Sequence, residues 1–173
     1  VIGTYKTSAN GSFTVTGLKG GTYIVEELAS DSGHVIDSAP QTVYISGKQQ
    51  DVVQLYFGNS PKGSLLVKKI DSATHAPLSD VEFFVTTADG TVVGDANGKF
   101  VTDSAGSFTI SNINPGTTLV VKESRAKSGY VLDDTPQTAT IKAGQTVTLE
   151  FRNAPKGSLI IVKKDAVTGK APP

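Results

Sequence analysis

The sequence contains no cysteine, no methionine and no tryptophan. Without cysteine, neither a disulfide framework nor a thiolate metal site is open to it. The lack of methionine, position 1 included, is what a piece of a longer polypeptide would show. Net charge is missing too: 16 basic residues balance 16 acidic ones, which removes the electrostatic case for nucleic acid or an anionic membrane as partner. No apolar run is long enough to span a bilayer and no secretory signal pattern opens the chain, so no membrane insertion is expected of these residues. Helical periodicity is absent as well. What remains is rich in Thr, Val and Gly, a composition that suits an extracellular β protein.

The chain repeats itself. "GSFTVTGLKGGTYIVEELASDSGHV" at 11–35 matches "GSFTISNINPGTTLVVKESRAKSGYV" at 106–131, with one residue inserted in the second copy. "APQTVYI" then matches "TPQTATI", and Asn59 falls opposite Asn153. A third match sets "GSLLVKKID" at 63–71 over "GSLIIVKKD" at 157–165. The repeating unit is about 95 residues, within the usual size of a domain. The expected organisation is the rear part of one unit at 1–60, an entire unit at 61–155, and the first strand of a third at 156–173. Nothing like "DVEFFVTT" precedes the rear half of the first copy, so its front strands are expected to be missing here.

Within the entire unit the apolar residues alternate with period two between turn signals. Strands are expected near 64–70, 81–87, 91–94, 99–103, 107–111, 118–124, 137–142 and 146–153. Asp89-Gly90, Asn97-Gly98 and Ala105-Gly106 are the expected tight turns, because glycine takes positive φ cheaply. "DANG" at 95–98 has the start of a calcium loop but lacks the further spaced oxygen ligands and the distal glutamate, so it is expected to be a hairpin turn. About seven or eight short strands in about 95 residues point to an all-β, two-sheet sandwich.

Residues two apart in a strand share a face. Leu65, Val67 and Lys69 therefore point one way, as do Leu119, Val121 and Glu123, and Val147, Leu149, Phe151 and Asn153. Three apolar rows each end in one polar group. The partial copies follow the same parity: Tyr23 and Val25 lead to Glu27, Val53, Leu55 and Phe57 lead to Asn59, and Leu159 and Ile161 lead to Lys163. Lys68 sits on the opposite parity and is replaced by Val162 in the third copy. Taken singly, Lys69 reads as an edge-strand lysine with its ammonium in water, Glu123 as its surface partner, and Asn153 as a turn residue before Pro155. Their joint recurrence on inward rows argues instead that they meet, since buried polar groups are costly unless paired.

"LLVKKID", "PLSDVEFFV", "VVKESRAKSGY" and "LEFRNAPKG" together resemble the collagen-adhesin B-type (CnaB-like) repeat domains of Gram-positive surface adhesins and sortase-assembled pilins. The resemblance covers 61–155 and part of both flanks. Departures lie in loops: Ala126-Lys127 where the family often has Ala-Pro, Thr74-His75 where it has a Thr-Gly turn, and His34 where the second copy has Tyr130. The resemblance implies an immunoglobulin-like or prealbumin-like sandwich in tandem repeats. It also implies a spontaneous isopeptide bond between Lys69 and Asn153, promoted by Glu123 and needing no cofactor or metal. Glu27 would play the part of Glu123 in the first copy, with Asn59 and Lys163 left as unpaired cross-link candidates. The implied function is a stalk or pilus-shaft module on the cell wall outside the cell. It is not an enzyme beyond one self-cross-linking event.

Three further expectations concern partners. Neighbouring repeats of the same protein are expected partners. Lys163 of one chain has the parity to serve Asn59 of another, giving head-to-tail self-association. The rival function is an adhesin module whose loops bind a host matrix protein or glycan, though no exposed aromatic cluster or uneven charge patch favours it. The histidines, His34 and His75, lie in turn-like segments without an associated nucleophile, which leaves turnover catalysis the weakest alternative.

Overall fold

The computed structural model describes residues 1–48 and 52–171. The chain divides into two compact units, Val1–Ser60 and Pro61–Pro173. Eleven strands are present among the described residues: β1 (Gly21–Val25), β2 (His34–Val35), β3 (Gln41–Ile45), β4 (Ser60–Pro61), β5 (Gly63–Asp71), β6 (Glu82–Thr87), β7 (Lys99–Val101), β8 (Ser107–Ile113), β9 (Thr118–Arg125), β10 (Gln137–Thr140) and β11 (Thr146–Asn153). The fold is all-β, and among the described residues no helix is long and apolar enough to cross a membrane.

The second unit is a sandwich of a four-stranded sheet, β10-β9-β6-β7, and a three-stranded sheet, β11-β5-β8. Leu65 and Val67 of β5, Ile110 of β8 and Phe151 of β11 face Phe83 and Val85 of β6, Leu119 and Val121 of β9 and Ala139 of β10 in one core. These are the apolar residues whose period-two spacing marks an inward face. Phe83 anchors the centre, with its ring 4.9 Å from Phe151 and 5.5 Å from Phe108. β11 runs parallel to β5, so the first and last long strands of the unit are neighbours: Leu149 lies opposite Val67, Phe151 opposite Lys69 and Asn153 opposite Asp71.

The expected turns form. Asn97 and Gly98 both take positive φ, 51° and 78°, in a tight turn closed by Lys99 N to Ala96 O at 3.1 Å, but it joins no hairpin because β7 pairs with β6; the glycines of the other two turns are left-handed as well. The expected strand at 91–94 does not form. It is reduced to a single bridge between Thr86 and Val92, because left-handed Gly90 and Gly94 bracket a stretch too short to extend. β8 instead runs on to Ile113, longer than expected.

In the first unit β1 and β3 pair antiparallel, Tyr23 opposite Val43. Residues 52–59, which align with β11, carry no strand ladder there. Residues 156–171 also lack strand pairing, and Leu159 and Ile161 are 83% and 84% exposed.

Candidate functional site

Lys69 is the seventh residue of β5, on the inward face that Leu65 and Val67 begin. Asn153 ends the adjacent β11, on the face of Phe151. Glu123 belongs to β9 in the opposite sheet and is registered against Phe83. The three side chains therefore meet across the interior, two from one sheet and one from the other, with relative exposures of 0%, 1% and 0% respectively.

Lys69 Nζ donates to Glu123 Oε2 at 2.7 Å and to Asn153 Oδ1 at 2.5 Å. Asn153 Nδ2 donates to Glu123 Oε1 at 2.6 Å. The carboxyl thus bridges both nitrogens, one on each oxygen. Among the described residues no buried side-chain nitrogen or oxygen lacks a partner, so the triangle satisfies itself. The Phe151 ring, 5.9 Å from Nζ, closes the apolar wall beside it.

Burial lowers the Lys69 pKa from its ordinary value, because the charged form loses its water; the hydrogen bond and attraction of Glu123 oppose that shift, with a further contribution from Asp133. The net direction favours the neutral amine, which has a free lone pair.

The backbone around Lys69 is fixed from both sides. Its N–H donates to Gly106 O at 2.7 Å, and its carbonyl accepts from Leu78 N at 2.9 Å. Gly106 has φ 69°, and a Cβ there would lie 2.6 Å from the Lys69 carbonyl oxygen, so a side chain at 106 would push the lysine's own backbone.

Two residues beyond the lysine, Asp71 holds the strand end. It accepts from Ala73 N at 2.7 Å and Thr74 N at 2.8 Å, and its other oxygen accepts from the Tyr130 hydroxyl at 2.9 Å. These hydrogen bonds, led by that of Thr74 N, lower the Asp71 pKa. The Tyr130 contact ties the loop after β9 to the end of β5. The inward-row parity did not single out Asp71 or Tyr130 as site residues; the recurrence of the aspartate as Asp165 was the signal available.

In the first unit, Glu27 and Asn59 are also brought together. Asn59 Nδ2 donates to Glu27 Oε1 at 2.7 Å, the same bond as Asn153 to Glu123. The other two acceptors, Glu27 Oε2 and Asn59 Oδ1, accept from the backbone N–H of Asp37 at 3.2 and 3.0 Å. Asp37 thus stands at the pair of acceptors that Lys69 Nζ meets in the second unit. Parity reasoning missed Asp37, although "VID" at 35–37 recurs as "VLD" at 131–133. Lys163 is exposed, as is Lys68 on the outer face of β5.

Solved structures with the same architecture include the Bacillus anthracis TIE protein, 26% identical with a TM-score of 0.53 over 78% of this chain and 25% of that one. GBS52, the minor pilin of Streptococcus agalactiae, is 21% identical with a TM-score of 0.51 over 91% of this chain and 70% of that one. The backbone protein of the group B streptococcus pilus 2b is 21% identical with a TM-score of 0.51, covering 75% of this chain and 52% of that one. The chain therefore spans a quarter of the length of the first of these. Comparison with curated proteins finds no match. The family model of the SpaA prealbumin-like fold domain matches residues 1–61 and 63–155. This chain belongs to that family.

Proposed function

We propose that this chain is a structural module of a pilus shaft or surface stalk, attached to the wall outside a Gram-positive cell and sealed by an amide bond between Lys69 and Asn153. The observation that carries this is the buried triangle in which one carboxyl bridges the amine and the carboxamide. The likeness of the fold to pilins supports the setting.

The chemistry follows from the contacts. The neutral Lys69 amine attacks Cγ of Asn153, which lies beside the oxygen it already touches. Glu123 takes the proton from Nζ through Oε2 and returns one to Nδ2 through Oε1. The Cγ–Nδ2 bond breaks, ammonia departs, and an Nζ–Cγ amide remains. Fixed neighbours supply the proximity that so poor a leaving group needs. General acid–base transfer through one carboxyl makes the nitrogen leave as neutral ammonia. Glu123 ends unchanged, and the reaction runs once per molecule.

The mechanical consequence comes from the parallel pairing of β5 and β11. The chain enters at Gly63 and leaves beyond Asn153, at the opposite end of the paired strands. Tension from the entrance travels along β5 to Lys69, crosses the amide to Asn153 and leaves. The chain between them, closed over a sequence separation of 84, is then outside the tension path. Pulling a single chain from its ends tests this. The bonded unit withholds roughly 290 Å of extension, at about 3.5 Å per residue, and Lys69→Ala releases it. Full extension of the wild type would overturn the proposal.

A further inference from the structure

The end of β11 that carries Asn153 is held by more than its own sheet. The Asn153 carbonyl accepts from Ser72 N at 2.9 Å, in the turn that follows β5. The next carbonyl, that of Ala154, accepts from Val131 N at 2.9 Å, and Lys156 N donates to Gly129 O at 2.8 Å. Between these two bonds Tyr130 forms an antiparallel bridge with Pro155. We propose that Tyr130 is a positioning residue for the Lys69–Asn153 bond: its hydroxyl on Asp71 latches residues 126–131 as a strap over the end of β11, which holds the Asn153 amide in place and keeps water from the amine. The inference rests on the reading of Lys69, Glu123 and Asn153 as bond-forming residues and extends it to a side chain whose hydroxyl bonds to none of them.

The strap is built by the sequence that follows Glu123. Lys127–Tyr130 closes a turn, Tyr130 N to Lys127 O at 3.1 Å, with Gly129 at φ 86° in its left-handed position. That turn brings the half-buried Tyr130 ring back against the core and sets its hydroxyl 2.9 Å from Asp71 Oδ2. Asp71 is 4% exposed, and its Oδ1 is already fixed by Ala73 N and Thr74 N, so the acceptor is ordered before the hydroxyl reaches it. A carboxylate is also a stronger acceptor than a neutral group. Near the start of the strap, Lys127 Nζ donates to Ser79 Oγ at 2.8 Å. One short segment thus ties together the approach to β6, the end of β5 and the end of β11.

The place matters because both reacting groups lie near strand ends. Asn153 is the last residue of β11, and Lys69 stands two residues before the end of β5. Strand ends open more readily than strand centres, and opening here would admit water to Nζ. Water favours the ammonium, which is no nucleophile. The charged groups that act on Lys69 are Glu123 of β9 and Asp133, just beyond the strap, and both favour the ammonium. Burial alone therefore keeps the amine neutral, and the strap protects that burial.

The test follows the bond as it forms. Full-length chain made by cell-free translation and collected in denaturant before it folds is diluted into buffers over a range of pH. Circular dichroism records folding, and intact mass records the loss of ammonia with time. In the wild type the rate is expected to climb as Nζ loses its proton and then to level off. Tyr130→Phe is expected to fold and to reach the same final mass, with the midpoint of its rate profile moved up by about one pH unit, which is about a tenfold slower reaction below the midpoint. Ile110→Val, a core change of similar stability cost, is expected to keep the wild-type midpoint. Should Tyr130→Phe fail to fold, Asp71→Asn takes its place: it keeps Oδ1 for the turn and exchanges the charged acceptor of the hydroxyl for a neutral amide. Its midpoint is expected to rise as well, whereas loss of the Asp71 charge by itself would lower it. The inference is overturned if the variant keeps the wild-type rate and midpoint, if it slows equally at every pH as a general loss of stability would, or if Ile110→Val shifts its midpoint as far. A wild-type chain that folds yet loses no ammonia at any pH overturns instead the reading of Lys69 and Asn153 on which the inference rests.

Discussion

The two units hold the same Glu–Asn hydrogen bond, 2.7 Å from Asn59 to Glu27 and 2.6 Å from Asn153 to Glu123, in different surroundings. In the second unit β5 runs beside β11, and Glu123 and Asn153 are buried at 0% and 1% exposure. In the first, the segment before Asn59 has no such neighbour, and Glu27, Phe57 and Asn59 are only half-buried. The acid and the amide are thus positioned by the rear strands alone. In the proposed reaction the lysine strand has two jobs: it brings the nucleophile, and it excludes the water that would keep that nucleophile charged. In the first unit the pair is only half-buried, and its two free acceptors are met by the Asp37 backbone N–H.

The largest effect is expected from removing the bond. Asn153→Ala or Lys69→Ala opens an 84-residue loop, which in the loop-entropy account is worth about 4 to 5 kcal/mol. For a unit of this size the melting temperature is expected to fall on the order of 20 °C, measured calorimetrically against the wild type. Glu123→Ala is expected to fold, to lack the bond and to lose a similar amount, because the carboxyl promotes the reaction without being consumed. Equal melting of Glu123→Ala and wild type would mean that the second unit owes no stability to the reaction.

A smaller effect concerns pH in Asn153→Ala, where Lys69 stays a free buried amine. Burial lowers its pKa in the folded state, so the folded protein binds fewer protons than the unfolded one between that lowered value and the unfolded value of about 10.4. Stability is therefore expected to rise with pH across this window and to level off above it. Urea titrations at several pH values follow the slope. The wild type, whose Nζ would be an amide in the proposed bond, is expected to lack this contribution; a matching slope in both proteins would leave Lys69 unreacted.

Tyr130→Phe removes the hydroxyl that the Asp71 carboxylate accepts from. It is expected to cost about 1 to 2 kcal/mol while leaving the bond formed, as chemical denaturation and peptide mapping would measure. The first unit has His34 at the aligned place, its ring nitrogen 2.8 Å from Asp31 instead. The smallest effect is expected from Lys68→Ala. Lys68 is exposed on the outer face of β5, so stability should change by under about 0.5 kcal/mol and the cross-linked peptide should still be recovered.

The core and the triangle were legible because β-strand parity is strict. Leu65, Val67 and Lys69 must share a face if any one of them does, and a lysine at the end of a buried row needs partners. The sheet assignment was less legible: nothing in the period-two pattern says that β11 lies parallel to β5, since that depends on long-range packing. The run at 91–94 alternates as a strand should, yet two left-handed glycines confine it, a constraint that side-chain pattern does not carry. Asp37 was hidden for a related reason, because it acts through its backbone N–H, which every residue but proline has. Gly106 was legible as a turn but not as the residue that abuts the Lys69 backbone.

The central claim is tested most directly by the intact mass of the purified, folded chain. A Lys69–Asn153 amide predicts a mass below that of the sequence by one ammonia, restored to the full value in Lys69→Ala and in Glu123→Ala after correction for each substitution. A wild-type chain that is folded and aged yet retains its full sequence mass would contradict it.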